Sequence, residues 1–203
     1  MAEQVRLNAE GQTEEEFVRE YQEQQYPFSY LTADVALLYR EGEAYELLLI
    51  KRGNHPFIGM RAFPGGFVNR EECAKEAALR ELQEETGVEG ITCASLGFYS
   101  NPHRDPRGWI ISEVFYAIVD ERPAAKAGDD ARDARWFRIH DFTEGSHLRL
   151  ELRAGDEILP IEGEITRNPQ SGLDEVQVTA SEGFAFDHAQ IVADAWLACL
   201  RRK

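Results

Sequence analysis

Three glutamates, Glu81, Glu84 and Glu85, stand within five positions of "AKEAALRELQEETGV", residues 74–88. On a helix, positions i, i+3 and i+4 are neighbours, and like charges there repel by a few tenths of a kcal/mol per pair. At about 100° per residue, Glu84 lies roughly 60° to one side of Glu81 and Glu85 roughly 40° to the other, so the three carboxylates share one patch. The ordinary explanation is a solvated face on which Glu76, Arg80 and Glu84 form an i, i+4 ladder. The chemical explanation is a hard divalent cation, which carboxylate oxygens hold well and whose binding relieves the repulsion. The flank carrying Ala78 and Leu82 places the carboxylates beside the apolar side of the helix. Upstream, Pro64 precedes Gly65 and Gly66, a pair that turns sharply and lets backbone approach phosphate because neither has a Cβ.

Spacing decides between the two explanations. Gly66, five residues, Glu72, seven residues, then Arg80-Glu81-Leu82, Glu84-Glu85 and Gly87-Val88 fill every fixed position of the Nudix signature. At average residue usage such a match arises by chance on the order of once in a million or less. The chain thus resembles the Nudix hydrolases, which cleave a nucleoside diphosphate linked to another group, and the strand order is similar over roughly residues 30–145. The resemblance implies an α/β (α+β) fold, an α/β/α sandwich with a mixed sheet. It implies that Glu81, Glu84 and Glu85 ligate Mg²⁺, with Mn²⁺ as a substitute, that Arg80 orients a glutamate, and that Glu72 supports the loop or helix start. Chemically, cations neutralise the phosphate oxygens and activate water for attack at phosphorus.

The remainder of the chain bears on the substrate. "YSNPHRDPRGWIISEVFYAIV", residues 99–119, is similar to the branch that hydrolyses ADP-ribose, as are the placement of Pro102 and "FAFDHAQIVADA", residues 184–195. The expected ligand is therefore a small nucleotide diphosphate, ADP-ribose, split to AMP and ribose 5-phosphate. Arg104 and Arg107 are candidates for phosphate or ribose oxygens, with a local ion pair to Asp105 as the equal alternative. Arg52 and Arg61 are further phosphate candidates. Phe57, Phe63 and Trp109 are candidates to stack on adenine, against the commoner role of aromatics as core. His103 and His188 read as structural. The base stays open among the box glutamates, Asp130, Asp133 and Glu144. Other nucleotides, including oxidised nucleoside triphosphates and dinucleotides, and a non-catalytic ADP-ribose sensor, are the alternatives. Against the sensor stand the intact box and residues 148–203, which leave too little chain for a basic DNA-binding module.

Composition narrows the partners. The 203 residues carry a formal charge of −15, against the basic stripe a large nucleic-acid footprint needs. No apolar run approaches the roughly 18 residues of a membrane span, and the first residues do not read as a secretory signal, so the expected location is cytoplasmic. Cys73, Cys93 and Cys199 fit neither a disulfide framework nor a zinc site. Relatives of this branch imply a homodimer.

The elements that must position these groups follow from local pattern. "TEEEFVREYQEQQ", residues 13–25, predicts an N-terminal helix opened by Thr13 and Glu16 in capping-box spacing. Residues 31–53 predict a hairpin about "REGEA", residues 54–67 a Gly/Pro/aromatic loop, and about 72–86 a helix stopped by Gly87. "ITCASLGFYS", "WIISEVFYAIVD" and "ARWFRI" read as strands, residues 148–180 as an added β-ribbon, and the end as a helix with a basic last turn. The expected organisation is one domain: an extension over 1–29, a core over 30–147, the ribbon over 148–180 and the closing helix over 181–203.

Overall fold

The computed structural model describes residues 7–23, 28–128 and 131–200; Asp130 and the basic last turn, Arg201 to Lys203, lie outside them. Strand β1 (Tyr30–Glu41) turns at Gly42 into β2 (Ala44–Arg52), the hairpin the sequence predicts. The loop that follows contains two short strands, β3 (Arg61–Ala62) against β2 and β4 (Gly65–Phe67) against β1. Helix α2 (Ala74–Thr86) comes next, preceded in the chain by the exposed α1 (Glu14–Glu23). Strands β5 (Ala94–Tyr99), β6 (Ile110–Val119) and β7 (Ala131–Asp141) complete the central sheet.

The sheet is mixed. Strand β1 pairs in parallel with β6 and antiparallel with β2 and β4. The expected ribbon is three strands, β8 (His147–Ala154), β9 (Glu157–Arg167) and β10 (Asp174–Ser181), which continue the same sheet from β7 by antiparallel pairing. Helix α3 (His188–Ala195) and a π-helical turn (Trp196–Leu200) close the described chain. No helix among the described residues is long and apolar enough to cross a membrane.

Strand periodicity sorts the core into two layers, because successive side chains point to opposite faces. Ala33, Val35, Leu37 and Leu48 pack with Ala77, Ala78 and Leu82 of α2. Ala36, Leu38, Leu47 and Leu49 pack on the other face with Leu148, Leu150 and Leu152 of β8 and Ile191 and Val192 of α3. A strand buried on both faces reads as the near-continuous apolar run seen in β1.

Local chemistry fixes where α2 begins and ends. The Glu76 carboxylate accepts the Cys73 N–H at 2.8 Å, a reciprocal capping box. Gly87 ends the helix at φ 70°, a conformation an L side chain resists, and donates its N–H to the Gln83 carbonyl. The Glu box therefore has a fixed rotational setting against the sheet. The segment after β6 rests on the same helix end, with the Gly128 N–H bonded to the Glu85 carbonyl and the Lys126 N–H to that of Thr86.

Candidate active site

The sheet, α2, the 101–109 turn and the start of α3 surround a cavity of about 380 Å³. Glu81, Glu84, Glu85 and Arg80 line it, with Gly65, Gly66, Arg52, Arg104 and Arg107. Of Arg80, the three box glutamates, the glycine pair and the phosphate-candidate arginines, all but Arg61 thus share one pocket.

Arg80 spans the acidic wall. Its Nη1 donates to Glu81 Oε1 at 2.8 Å and Glu84 Oε2 at 2.9 Å, and its Nε and Nη2 hold Glu72 at 3.0 and 2.7 Å. Glu72 in turn accepts the backbone and side-chain N–H groups of Asn69, both at 2.8 Å, so the loop before α2 is tied to the carboxylates. Arg80 and the Asn69 N–H hold the Glu72 carboxyl well below its usual range, at about 2. One guanidinium thus offsets the repulsion that the spacing of the box creates.

Glu85 is set differently. It is buried, and its Oε2 accepts the Gly65 N–H at 2.9 Å. Burial pushes its carboxyl up to about 8 against the pull of that bond, with Glu81 and Asp34 adding to the rise.

Asp34 is the acid that reading the sequence missed. It sits in the apolar run of β1, 7% exposed, opposite Gly65 in the β1–β4 register, and lines the same cavity. The Ser112 hydroxyl donates to it. Burial, against the Ser112 bond, raises its carboxyl to about 6. The one hint in the sequence is a lone carboxylate amid "LTADVALL", which once buried must find a polar partner.

The two glycines have separate steric reasons. A Cβ on Gly65 would lie 2.5 Å from the Ala33 carbonyl oxygen and 2.7 Å from Asp34 Cα, so only glycine lets β4 lie this close to β1. A Cβ on Gly66 would lie 2.4 Å from Glu81 Oε1, so the missing side chain is where a box carboxylate reaches the strand.

Three further arginines line the same cavity. Arg104 is buried and bonded through Nε and Nη2 to both carboxylate oxygens of Asp187, at 2.9 and 2.7 Å. Arg107 pairs with Asp105 at 2.7 Å, the local ion pair weighed above, while its guanidinium lies 5.0 Å from the Phe67 ring centre and 5.6 Å from that of Phe186. Arg52 donates Nε to the Pro56 carbonyl at 2.8 Å and lies 5.0 Å from the Phe186 ring centre. Among aromatics, Phe63 lines the cavity from the core, whereas Phe57 and Trp109 lie outside its lining and Phe67 and Phe186 are part of it.

Arg61 corrects the expectation that it meets phosphate. It is 1% exposed and does not line the cavity; its Nη2 bonds Asp133 and Glu157, both at 2.7 Å, and its Nε bonds Glu157 at 2.9 Å. Its guanidinium also lies 5.0 Å from the Phe137 ring centre. Long-range acids claim it, and no local pattern announces them. Asp133 is consumed by this pair and by Arg135, and Glu144 is exposed at the β7–β8 turn, so neither lines the cavity as a base.

His103 is exposed in its turn, and His188 is a buried structural group. His188 Nδ1 accepts the Phe63 N–H at 2.9 Å, which places the neutral ring's proton on Nε2. Burial, with Arg104 and Arg52 nearby, lowers its pKa to about 3. An unfolded histidine titrates near 6.5, so between about 6.5 and 3 the unfolded chain binds a proton that the native one refuses. Stability from this site is complete above 6.5 and is lost as pH falls, with a slope approaching about 1.4 kcal/mol per pH unit. Urea midpoints from pH 7.5 to 4.5 should fall more steeply for the natural chain than for His188→Gln; parallel curves would refute the assignment.

The donor set is chemically suited to a hard divalent cation, since every candidate ligand is a carboxylate oxygen and buried anionic groups without a cation are costly. Among the described residues, no three such groups already stand at ligating spacing about one point. The carboxylates are seen in the arrangement that Arg80 and Gly65 hold.

Comparison with known proteins shows the family and the fold. The family model described as NUDIX domain matches residues 30–158. The chain is 49% identical over 97 residues to an ADP-ribose pyrophosphatase of Methanocaldococcus jannaschii, a match covering 48% of this chain and 57% of that protein's length. It is 27% identical over 169 residues to the ADPR responsive transcriptional repressor NtrR of Acinetobacter baylyi, covering 76% of this chain and 68% of the repressor. In structure it is similar to a MutT/nudix family protein from Enterococcus faecalis, with a TM-score of 0.71 and 34% identity, over 91% of this chain and 68% of that one.

Proposed function

Because the chain belongs to the Nudix family, we propose that its pocket hydrolyses ADP-ribose, water breaking one P–O bond of the diphosphate to release AMP and ribose 5-phosphate. The carrying observation is that the carboxylates of α2 and the arginines of the sheet and the 101–109 turn line one cavity. A diphosphate needs both sets, one to hold its counter-cations and one to meet its oxygens.

Glu81, Glu84 and Glu85 would hold the cation, for which Mg²⁺ is the proposed ion and Mn²⁺ a substitute. Bound there, a divalent cation supplies charge neutralisation at phosphate and a more acidic water. Arg80 keeps Glu81 and Glu84 oriented, Gly65 and Gly66 keep the floor free of side chains, and Arg52 and Arg107 face the diphosphate oxygens. Arg104 borders the same wall, its fork turned to Asp187. The 49% identity over 97 residues to the M. jannaschii pyrophosphatase supports ADP-ribose over other diphosphates.

The similarity to the NtrR repressor favours a second reading, a domain that binds ADP-ribose without cleaving it. Product analysis separates the two. With Mg²⁺ present, ADP-ribose, NADH, diadenosine polyphosphates and nucleoside triphosphates are offered in parallel and products resolved by chromatography. Release of AMP from ADP-ribose faster than from the others is the expected result. Binding without turnover would select the sensor, and preference for another nucleotide would keep the chemistry and discard the substrate.

A further inference from the structure

Phe186 stands outside the signature and beyond residue 158, where the family match ends, yet it lines the pocket. Its φ of 51° is one that a bulky side chain rarely adopts, a strain that persists only where the surroundings impose it. Two backbone bonds impose it here. The Arg61 N–H donates to the Gly183 carbonyl and the Ala185 N–H to the Arg61 carbonyl, both at 2.8 Å, which laces the segment after β10 alongside β3. Phe57 then meets the Phe186 ring edge-on at 4.8 Å.

That ring gathers two positive charges. The guanidinium of Arg52 lies 5.0 Å and that of Arg107 5.6 Å from its centre. Arg52 is half-buried and has no ion pair among the described residues. Burial and Arg107 lower its pKa, against the pull of Glu85, Asp105 and Asp34. Arg107 spends part of its charge on Asp105 but keeps 39% of its side chain exposed. Asp105 and the Phe67 ring hold Arg107 from one side, and the face of Phe186 is the neutral group near both guanidinium groups and able to attract both. Held so, they present paired donors toward an anion with two phosphate groups.

We propose that Phe186 is a positioning residue, holding Arg52 and Arg107 side by side as a clamp for the diphosphate of the substrate. The inference rests on the reading that this pocket takes a nucleoside diphosphate. It also gives the β8–β10 extension a purpose, since the segment leaving β10 delivers the ring.

The test compares Phe186→Leu, which keeps bulk and removes the π face, with Phe186→Tyr, which keeps the face. Calorimetry measures binding of methylenediphosphonate, a diphosphate mimic without a nucleoside, in excess Mg²⁺, and steady-state kinetics measures ADP-ribose. For Leu, affinity for the mimic should fall about tenfold and KM should rise similarly while kcat changes little, the scale of a lost cation–π contact. Tyr should stay near the natural chain in both assays. Unchanged binding in the Leu variant, equal loss in the Tyr variant, or no binding of the mimic to the natural protein would each overturn the proposal. If ADP-ribose is not cleaved while the mimic still separates Leu from Tyr, the substrate reading fails and the clamp stands.

Discussion

Exchange of Glu84 and Glu85 together for Gln is expected to reduce kcat/KM for ADP-ribose by about a thousandfold or more, the scale on which loss of groups pre-set to stabilise developing charge is felt. Gln is close to isosteric with Glu and at position 85 still accepts the Gly65 N–H, so the lost quantity is charge rather than shape. The fold should tolerate the change. Glu85 is a buried carboxyl pushed up to about 8, and its ionised form therefore opposes folding as pH rises from the ordinary glutamate range through 8. Removing that charge should leave the melting temperature in chelator equal to or above that of the natural chain. Adding Mg²⁺ should raise the melting temperature of the natural chain, because a ligand bound only by the native state stabilises it, and should leave the double variant unmoved. An inactive variant that still shows the full Mg²⁺ shift would move the cation away from these carboxylates. An active one would sink the assignment altogether.

Gly65→Ala should produce the largest loss of stability. The new Cβ would meet the Ala33 carbonyl oxygen at 2.5 Å and Asp34 Cα at 2.7 Å, both backbone atoms of a strand buried on both faces. Neither can step aside without opening the β1–β4 pairing, so the expected cost is about 3 kcal/mol, the upper range for overpacking. For a chain of this size that lowers the melting temperature by roughly 6–12 °C. Gly66→Ala is the contrast, because the nearest atoms there belong to the Glu81 carboxylate, at 2.4 and 2.5 Å. A side-chain end can swing away, so activity should collapse with little thermal change. Scanning fluorimetry beside a rate assay checks the pair; equal melting losses would refute the distinction between backbone and side-chain collision.

What could be read in advance was what is encoded over short range. The α2 helix announces itself through the Glu spacing and Gly87, both within one segment, whereas the Cys73–Glu76 cap came only with the structure. The β1–β2 hairpin follows from two apolar runs about one glycine, and the paired Gly65 and Gly66 from their place before the box. The unread part depends on register. Asp34 matters because it lies opposite Gly65 across a strand pair, and no periodicity within β1 states that partner. Phe186 reaches Arg107 and Arg52 only because the chain has first run out along three strands and returned. Arg61 sits just before the glycine turn, where a phosphate contact is natural, but Glu157, 96 positions away, takes it. The ribbon was recognisable as alternating β-structure, yet its continuity with the central sheet is a fact of β7–β8 pairing alone.

Arg61 also binds together parts that the chain order keeps far apart. Its side chain joins β7 to the start of β9, and its backbone brackets the 183–185 segment on the way to Phe186. A fluctuation that peels the outer strands from the sheet must therefore strip a desolvated guanidinium of its carboxylates and release the basic wall of the pocket in the same event. The cleft and the extension should then share a single opening free energy, and hydrogen-exchange protection at β3, β9 and the 183–185 segment is expected to rise and fall as one cooperative unit.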